Sequence, residues 1–325
     1  MLVDFFIWVN DVLIKNEIPF IRKTKLFSLL RFINRYFSFY TFSIWCFFTN
    51  SNRKFNLLSA KDKVPVIISL TSFPGRLSNL NLTLETILRQ TLKPERILVY
   101  LSSNQVKNTT ELPKKLQDLV SRGVDFIFVS EDLKSHKKYF YVLNEFKNHP
   151  IITIDDDLLY DSRLIERLFS GYQKDRHLIY CNYSYTIKYT SSGNIEKYRR
   201  WQLNTSKNYE ASFNNFFGSG GGTLFPPNAL HVDVLNIDVV KKICFDADDI
   251  WLNAMARLNG TKICQLESRS LLNMPSFNIP TLASVNLGQN KNDLQLREVS
   301  SYCIKEYNMD PFEKDFNKAV GYVKK

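Results

Sequence analysis

The chain has 325 residues, 44% of them hydrophobic and 23% charged, which excludes an intrinsically disordered protein and allows one large domain or two modest ones. The 43 Lys and Arg outnumber the 32 Asp and Glu, and a formal charge of +11 favours anionic partners: nucleotide diphosphates, acidic lipid surfaces or nucleic acid. Five cysteines (Cys46, Cys181, Cys244, Cys264, Cys303), odd in number and without metal-ligand spacing, fit a reducing compartment and argue against a disulfide scaffold.

Residues 1–60 read as a basic, aromatic-rich helical extension in which Phe, Trp and Tyr alternate with Arg22, Lys23, Lys25, Arg31 and Arg35. Charges interrupt every apolar stretch before it reaches the ~20 residues that span a bilayer. Lys25 to Phe39 has the spacing of an amphipathic helix. Such a helix either lies in a membrane interface or packs its aromatics against the following domain, and the pattern leaves both open. No signal-peptide succession is present, so the expected location is cytoplasmic, with peripheral contact at the inner face of the membrane as one option.

After the polar boundary Lys61-Asp62-Lys63, strand-like and helix-like segments alternate. Strands are predicted at Val64–Thr71, Arg96–Leu101, Val124–Val129 and Ile151–Ile154, with helices at Asn79–Thr91, Pro113–Arg122 and Lys137–Lys147 between them. This βαβαβ succession implies an α/β fold with a mixed, largely parallel sheet flanked by helices. Beyond Tyr180 the pattern turns irregular and Gly-rich. The expected organisation is a main domain over 61–300, with a nucleotide-binding half (about 64–160) and an acceptor-binding half (about 161–300), followed by a tail over 301–325.

The fourth strand ends in Asp155-Asp156-Asp157. A buried strand that delivers carboxylates at its C-terminal end places charge in the ligand crevice of an open α/β sheet. Adjacent carboxylates repel one another unless a cation sits among them, and their hard oxygens suit Mg²⁺ or Mn²⁺, which in turn would hold a diphosphate. In extended backbone Asp155 and Asp157 project to one side and Asp156 to the other, so Asp156 is either structural or a further ligand. The plain alternative is an acidic strand-to-helix loop.

Val66 to Arg76 (Val-Ile-Ile-Ser-Leu-Thr-Ser-Phe-Pro-Gly-Arg), Glu85 to Pro94, Ile151 to Asp157, Gly220 to Pro227 and Asp246 to Leu252 follow one another in the order seen in bacterial nucleotide-sugar glycosyltransferases of the GT-A (Rossmann-like) fold. The chain resembles that family from about Val64 to Gln295 and, more distantly, the exostosin-like transferases. The resemblance makes the acidic triplet a DxD motif, with Asp157 as metal ligand and Asp155 at the ribose or a metal-bound water. It sets Arg76 and Lys138 near the nucleotide or its phosphates, against the alternatives of a solvated Arg and an exposed cationic helix face. It makes Gly220, Gly221 and Gly222 line the donor and acceptor pocket, against a flexible linker. Asp249 becomes the candidate catalytic base, with Asp248 beside it and Trp251 stacking on a sugar ring, whereas both acids also suit a helix N-terminus. The polar segment from Asn286 to Asp293 resembles a late stretch that folds over the donor site.

The function implied by the resemblance is metal-dependent transfer of a sugar, from a UDP-sugar or another nucleotide-diphosphate donor, to a glycan or lipid-linked hydroxyl in bacterial surface polysaccharide synthesis. A nucleotidyltransferase acting on sugar phosphates is the enzymatic rival, and the chain lacks a Gly-rich triphosphate loop with a basic residue at the first strand. A non-catalytic glycan- or membrane-binding protein of the same fold is the other. No zinc-ligand spacing or nucleic-acid-binding signature is present, so nucleic acid is not an expected partner.

Overall fold

In the computed structural model, β1 (Lys63–Thr71) is a nearly continuous apolar run whose Val66, Ile67 and Ile68 are fully buried. A strand buried on both faces belongs inside a parallel sheet. It pairs in parallel with β2 (Lys93–Ser102), and β2 pairs in parallel with β3 (Val124–Val129). Helices α3 (Leu77–Leu88) and α4 (Lys114–Val120) make the two crossovers. The structure describes residues 2–15, 25–49, 55–204, 210–267, 269–275 and 291–316.

The chain divides into two compact units. The first comprises residues 1–131, 155–167 and 269–279. Besides β1 to β3 it holds the N-terminal helices α1 (Leu2–Lys15) and α2 (Lys25–Thr49), and a small antiparallel pair that forms between β5 (Leu158–Leu159) and β12 (Leu272–Asn273). The second comprises residues 132–154, 168–268 and 280–325. Its strands run in the order β11 (Ile263–Gln265), β6 (Ile179–Cys181), β10 (Gly221–Phe225), β4 (Ile151–Ile154). Strand β10 is antiparallel to both neighbours, while β11 and β6 are parallel. A second, three-stranded antiparallel sheet joins β7 (Ser184–Thr186), β8 (Gln202–Leu203) and β9 (Asn215–Phe217). Helices α5 (Lys137–Glu145), α7 (Ile237–Ile243), α8 (Asp248–Leu258) and α9 (Lys291–Tyr307) complete it, and α6 (Leu164–Lys174) follows β5. The principal strands number seven, mostly parallel and flanked by helices, which is the α/β Rossmann-like class the sequence implies.

The predicted strands stand where the pattern put them, within a few residues, and the helices are shorter at one or both ends. One alternative falls and one boundary moves. The glycine run is not a flexible linker: Gly221 and Gly222 open a buried strand whose residues pair with Ile151 to Ile154. Gly222 takes φ +94°, a conformation other residues adopt with strain, and a Cβ at Gly221 would meet Tyr183 Cβ at 3.1 Å. The N-terminal helix runs ten residues beyond Phe39, to Thr49.

The N-terminal helices do pack on the first unit, through one face only. Val3, Phe6, Ile7, Phe39, Phe42 and Cys46 form a core cluster with Leu82, Leu159, Leu272 and Met274. Asp4 accepts hydrogen bonds from the Ser162 N–H and hydroxyl, and the Arg35 guanidinium donates to the Met274 carbonyl.

Candidate active site

Two clusters of ionisable residues stand out, one in each unit. In the first, β1 ends at Thr71 and leads through Ser72 and Phe73 into a single helical turn, Pro74–Arg76. Proline at the first position presets that turn and aims Arg76. The Arg76 guanidinium lies 2.6 Å from Asp156 and 3.1 Å from Asp157. Ser72 Oγ donates to the other Asp156 oxygen at 2.6 Å. Burial pushes the Asp156 carboxyl up, and the Arg76 charge and the Ser72 and Arg76 hydrogen bonds oppose that shift. Asp156 is only 5% exposed with both oxygens engaged, so it is not a cofactor ligand but the anchor of the loop. Arg76, likewise, is not a solvated surface residue.

Helix α3 holds the main chain of this loop from below. Thr83 Oγ1 donates to the carbonyls of Asp156 and Leu158, at 3.0 and 2.9 Å. Gln90 donates to the Asp161 carbonyl and accepts from the Ile165 N–H. Met274 N–H donates to the Asp157 carbonyl, and Tyr160 Oη accepts from the Asp155 N–H. Asp161, bonded to the Arg163 N–H and the Arg167 guanidinium, shapes the exit.

Asp155 and Asp157 remain half-buried. Burial and then the neighbouring Asp155 charge push Asp157 up to about 6, against the lowering effect of the Arg76 charge. Among the described residues no group of three or more His, Cys, Asp or Glu forms a metal cage. Mg²⁺ is commonly held by one or two carboxylates plus substrate phosphates. Asp155 and Asp157 supply hard carboxylate oxygens of the kind such a cation, arriving with a diphosphate, takes.

The second cluster is built on the start of α8. Asp248 and Asp249 open this helix, in the first turn after an Ala247 cap that makes no side-chain bond. Lys138 of α5 is 2% exposed, and its ammonium lies 2.9 Å from Asp248. It is thus not on an exposed cationic face. Ser219, in the turn before β10, donates its hydroxyl to Asp248 at 2.6 Å and its N–H to Asp249 at 2.7 Å. That turn is held in place by Thr153, whose hydroxyl donates to the Ser219 carbonyl, and by Thr223, whose hydroxyl donates to the Gly218 carbonyl. Burial raises the Asp248 carboxyl, but the Lys138 charge, His136 and the hydrogen bonds from Ser219 and Lys138 together outweigh it and hold Asp248 well below the usual range. Asp249 moves the other way: burial and then the Asp248 charge push it up to about 7. Two adjacent carboxylates therefore sit in opposite protonation regimes, a pattern that separates roles at functional sites.

His136 backs the cluster. Its Nε2 faces the Cys244 carbonyl at 3.0 Å, which can only accept, so Nε2 carries the proton and Nδ1 accepts the Tyr139 hydroxyl at 2.8 Å. Burial lowers its pKa to about 4, and it stays a neutral strut. Asp246 is tied to Lys134 at 2.6 Å and Lys291 at 3.6 Å. Tyr183 and Tyr185 join through their hydroxyls, and a Cβ at Gly218 would lie 3.1 Å from the Tyr183 ring and 4.0 Å from Asp249 Oδ2.

Trp251 does not stack on a sugar. It is fully buried in the hydrophobic core of the second unit, and its indole N–H donates to the Val234 carbonyl. It lies two positions beyond Asp249 on a helix, a little over half a turn away, and so faces inward. Gly220, Gly221 and Gly222 are buried, and Gly221 lets the strand lie close to Tyr183. His231 accepts from the Asp233 N–H and is structural. Of the late polar segment, 286–290 lies outside the described residues, while Asp293 accepts from the Tyr198 N–H. Ser72, His136, Ser219 and Tyr183 were missed. Ser72 and Tyr183 follow strand ends and Ser219 sits inside a glycine run, whereas His136 carries no local signal.

No protein-family model matches the sequence, and no curated protein does. Solved structures resemble it distantly. S. aureus TarS 1–349 in complex with UDP-GlcNAc aligns at 8% identity and a TM-score of 0.48, over 74% of this chain and 67% of that one. TarS 1–349 in another structure gives 10% identity and a TM-score of 0.42, over 64% of this chain and 59% of that one. CMP:2-keto-3-deoxy-manno-octonic acid synthetase complexed with CTP gives 12% identity and a TM-score of 0.38, over 71% of this chain and 100% of that one. Likenesses this distant transfer neither a substrate nor a residue's role.

Proposed function

We propose that the chain is a glycosyltransferase that moves a sugar from a nucleotide-diphosphate donor to a hydroxyl of a glycan or lipid-linked acceptor. The observation that carries this reading is the carboxylate pair on α8. Asp249, half-buried and held up to about 7, is tuned for proton transfer near neutrality, while Lys138 keeps Asp248 charged beside it. The ordered motifs of the family resemblance add the donor class, and a UDP-sugar is the donor proposed.

In this reading Asp249 takes the proton of the attacking hydroxyl. The Ser219 N–H holds one of its oxygens and leaves the other for substrate. Asp248 stays ionised through Lys138 and Ser219, and its charge keeps Asp249 basic enough to act. Asp155 and Asp157 would hold the divalent cation, Mn²⁺ or Mg²⁺, which when bound neutralises charge on the leaving diphosphate. Arg76 and Ser72 keep the loop in shape by fixing Asp156.

The test is turnover of a panel of nucleotide sugars with Mg²⁺ or Mn²⁺, read as nucleoside diphosphate released. Release from one donor, lost on chelation, supports the reading. Pyrophosphate released from a nucleoside triphosphate and a sugar phosphate would instead make the chain a nucleotidyltransferase. Binding with no turnover of any donor would make it a non-catalytic binder.

A further inference from the structure

Helix α2 is apolar on two opposite faces, and the first unit covers one of them. Phe39, Phe42 and Cys46 point inward and are at most 7% exposed. Leu26, Leu30, Ile33, Phe37, Tyr40 and Ile44 recur every three or four residues along the other side, from 38% to 59% exposed. Phe47 and Phe48 extend this stripe at 78% and 75%. Helix α1 adds Phe5, Trp8 and Val12 at helical spacing, at 55%, 55% and 44%. The two helices are joined by the Asn34 side chain, which donates to the Phe6 carbonyl, and by the Phe6 and Phe37 rings, 5.8 Å apart. Thirteen of the nineteen exposed large apolar side chains among the described residues lie on α1 and α2, so they form a surface and not a scatter.

Charge selects the occupant. Residues 1–60 hold eight Lys and Arg against three Asp and Glu, and α2 contains Lys25, Arg31 and Arg35 with no acid. The two acids of α1 turn inward: Asp4 accepts from Ser162, and Asp11 accepts from the Ser270 N–H and faces Arg269 at 3.8 Å. Arg31 is exposed and lies over the Phe27 ring at 5.9 Å. A second copy would set one basic helix against another. An anionic phospholipid surface offers acyl chains to the stripe and phosphates to the cations. Trp8 and Tyr40 are side chains that favour the water–lipid boundary. No helix among the described residues is long and apolar enough to cross a membrane, so α2 would lie in the interface plane.

We infer that α1 and α2 form a docking surface for an anionic phospholipid bilayer, the apolar stripe of α2 at the acyl boundary and Arg31 among the headgroups. This goes beyond the catalytic reading and does not rest on it, because lipid binding is measured without donor or acceptor.

The experiment is co-sedimentation of the full chain with vesicles of phosphatidylcholine, alone or with a minority of phosphatidylglycerol. The wild type is expected to bind the mixed vesicles more tightly and to be partly released by high salt. Ile44→Asp combined with Phe47→Asp, at positions 59% and 78% exposed, should lower partitioning roughly tenfold or more with an unchanged circular dichroism spectrum. Arg31→Glu, which leaves the stripe intact, should weaken binding to the anionic vesicles alone. Failure of the wild type to bind either vesicle overturns the inference, as does equal binding by the double variant. So does a dimer in light scattering that the double variant abolishes while no lipid binds.

Discussion

Asp249 and Asp248 show how two identical side chains acquire different chemistry from their neighbours. Lys138 and Ser219 stabilise one as an anion, while burial and then that anion raise the other. Asp249→Asn should leave donor binding intact and cut transfer on the order of 10²–10⁴-fold. Wild-type activity should climb with pH through about 7, where Asp249 becomes the base, and the variant's residual activity should lack that limb. The same shift acts on stability with a definite sign. A carboxyl whose folded value lies above its unfolded value of about 4 favours the fold at low pH and loses that contribution as pH rises through about 7. Asp249→Asn should therefore melt higher than wild type at pH 8, by ~2–4 °C for each kcal/mol relieved. Lys138→Met strands Asp248 as a buried anion and should cost about 3–5 kcal/mol in denaturant unfolding. Adding Asp248→Asn should recover part of that loss; no recovery would mean that the ion pair is not what Lys138 contributes.

At the scale of elements, the acidic loop owes its shape to α3 and the turn after it, where Thr83 and Gln90 donate to loop carbonyls. Thr83→Val keeps the volume but leaves two acceptors bare, and should cost about 1–3 kcal/mol and weaken donor binding together. Loss of stability with unchanged donor affinity would separate the loop from the donor site. Strand β10 is the counterpart in the second unit. Gly222→Ala meets a φ of +94° and should destabilise by about 1–2 kcal/mol, seen as a lower melting temperature. Its effect on turnover should track Asp249, since the turn ahead of β10 carries Ser219.

At the scale of the whole molecule, the acidic loop belongs to the first unit and the carboxylate pair to the second. A nucleotide sugar that fits should raise the melting temperature in Mg²⁺ or Mn²⁺ and not in chelator, with ~2.7 kcal/mol of added stability at a hundred times Kd. Asp157→Ala should abolish that rise while its circular dichroism spectrum stays that of wild type. A full thermal shift in the variant would remove Asp157 from the metal role.

What the sequence determined alone was periodic or contiguous. The βαβαβ succession, the strand Ile151–Ile154 and the basic, acid-free helix from Lys25 are local patterns, and local backbone preference with apolar spacing suffices to set them. The adjacency of Asp155, Asp156 and Asp157 was also legible, as was that of Asp248 and Asp249. Their division of labour was not. Asp156 became an anchor because Ser72 and Arg76, eighty or more positions earlier, converge on it. Lys138 became the partner of Asp248 across 110 residues, and Trp251 turned into the core because the buried face of α8 demanded it. Whether the N-terminal aromatics served a core or a surface had no answer in one dimension. Packing assigned one face of α2 to each, because a helix apolar all round can bury against a single unit only the side that faces it.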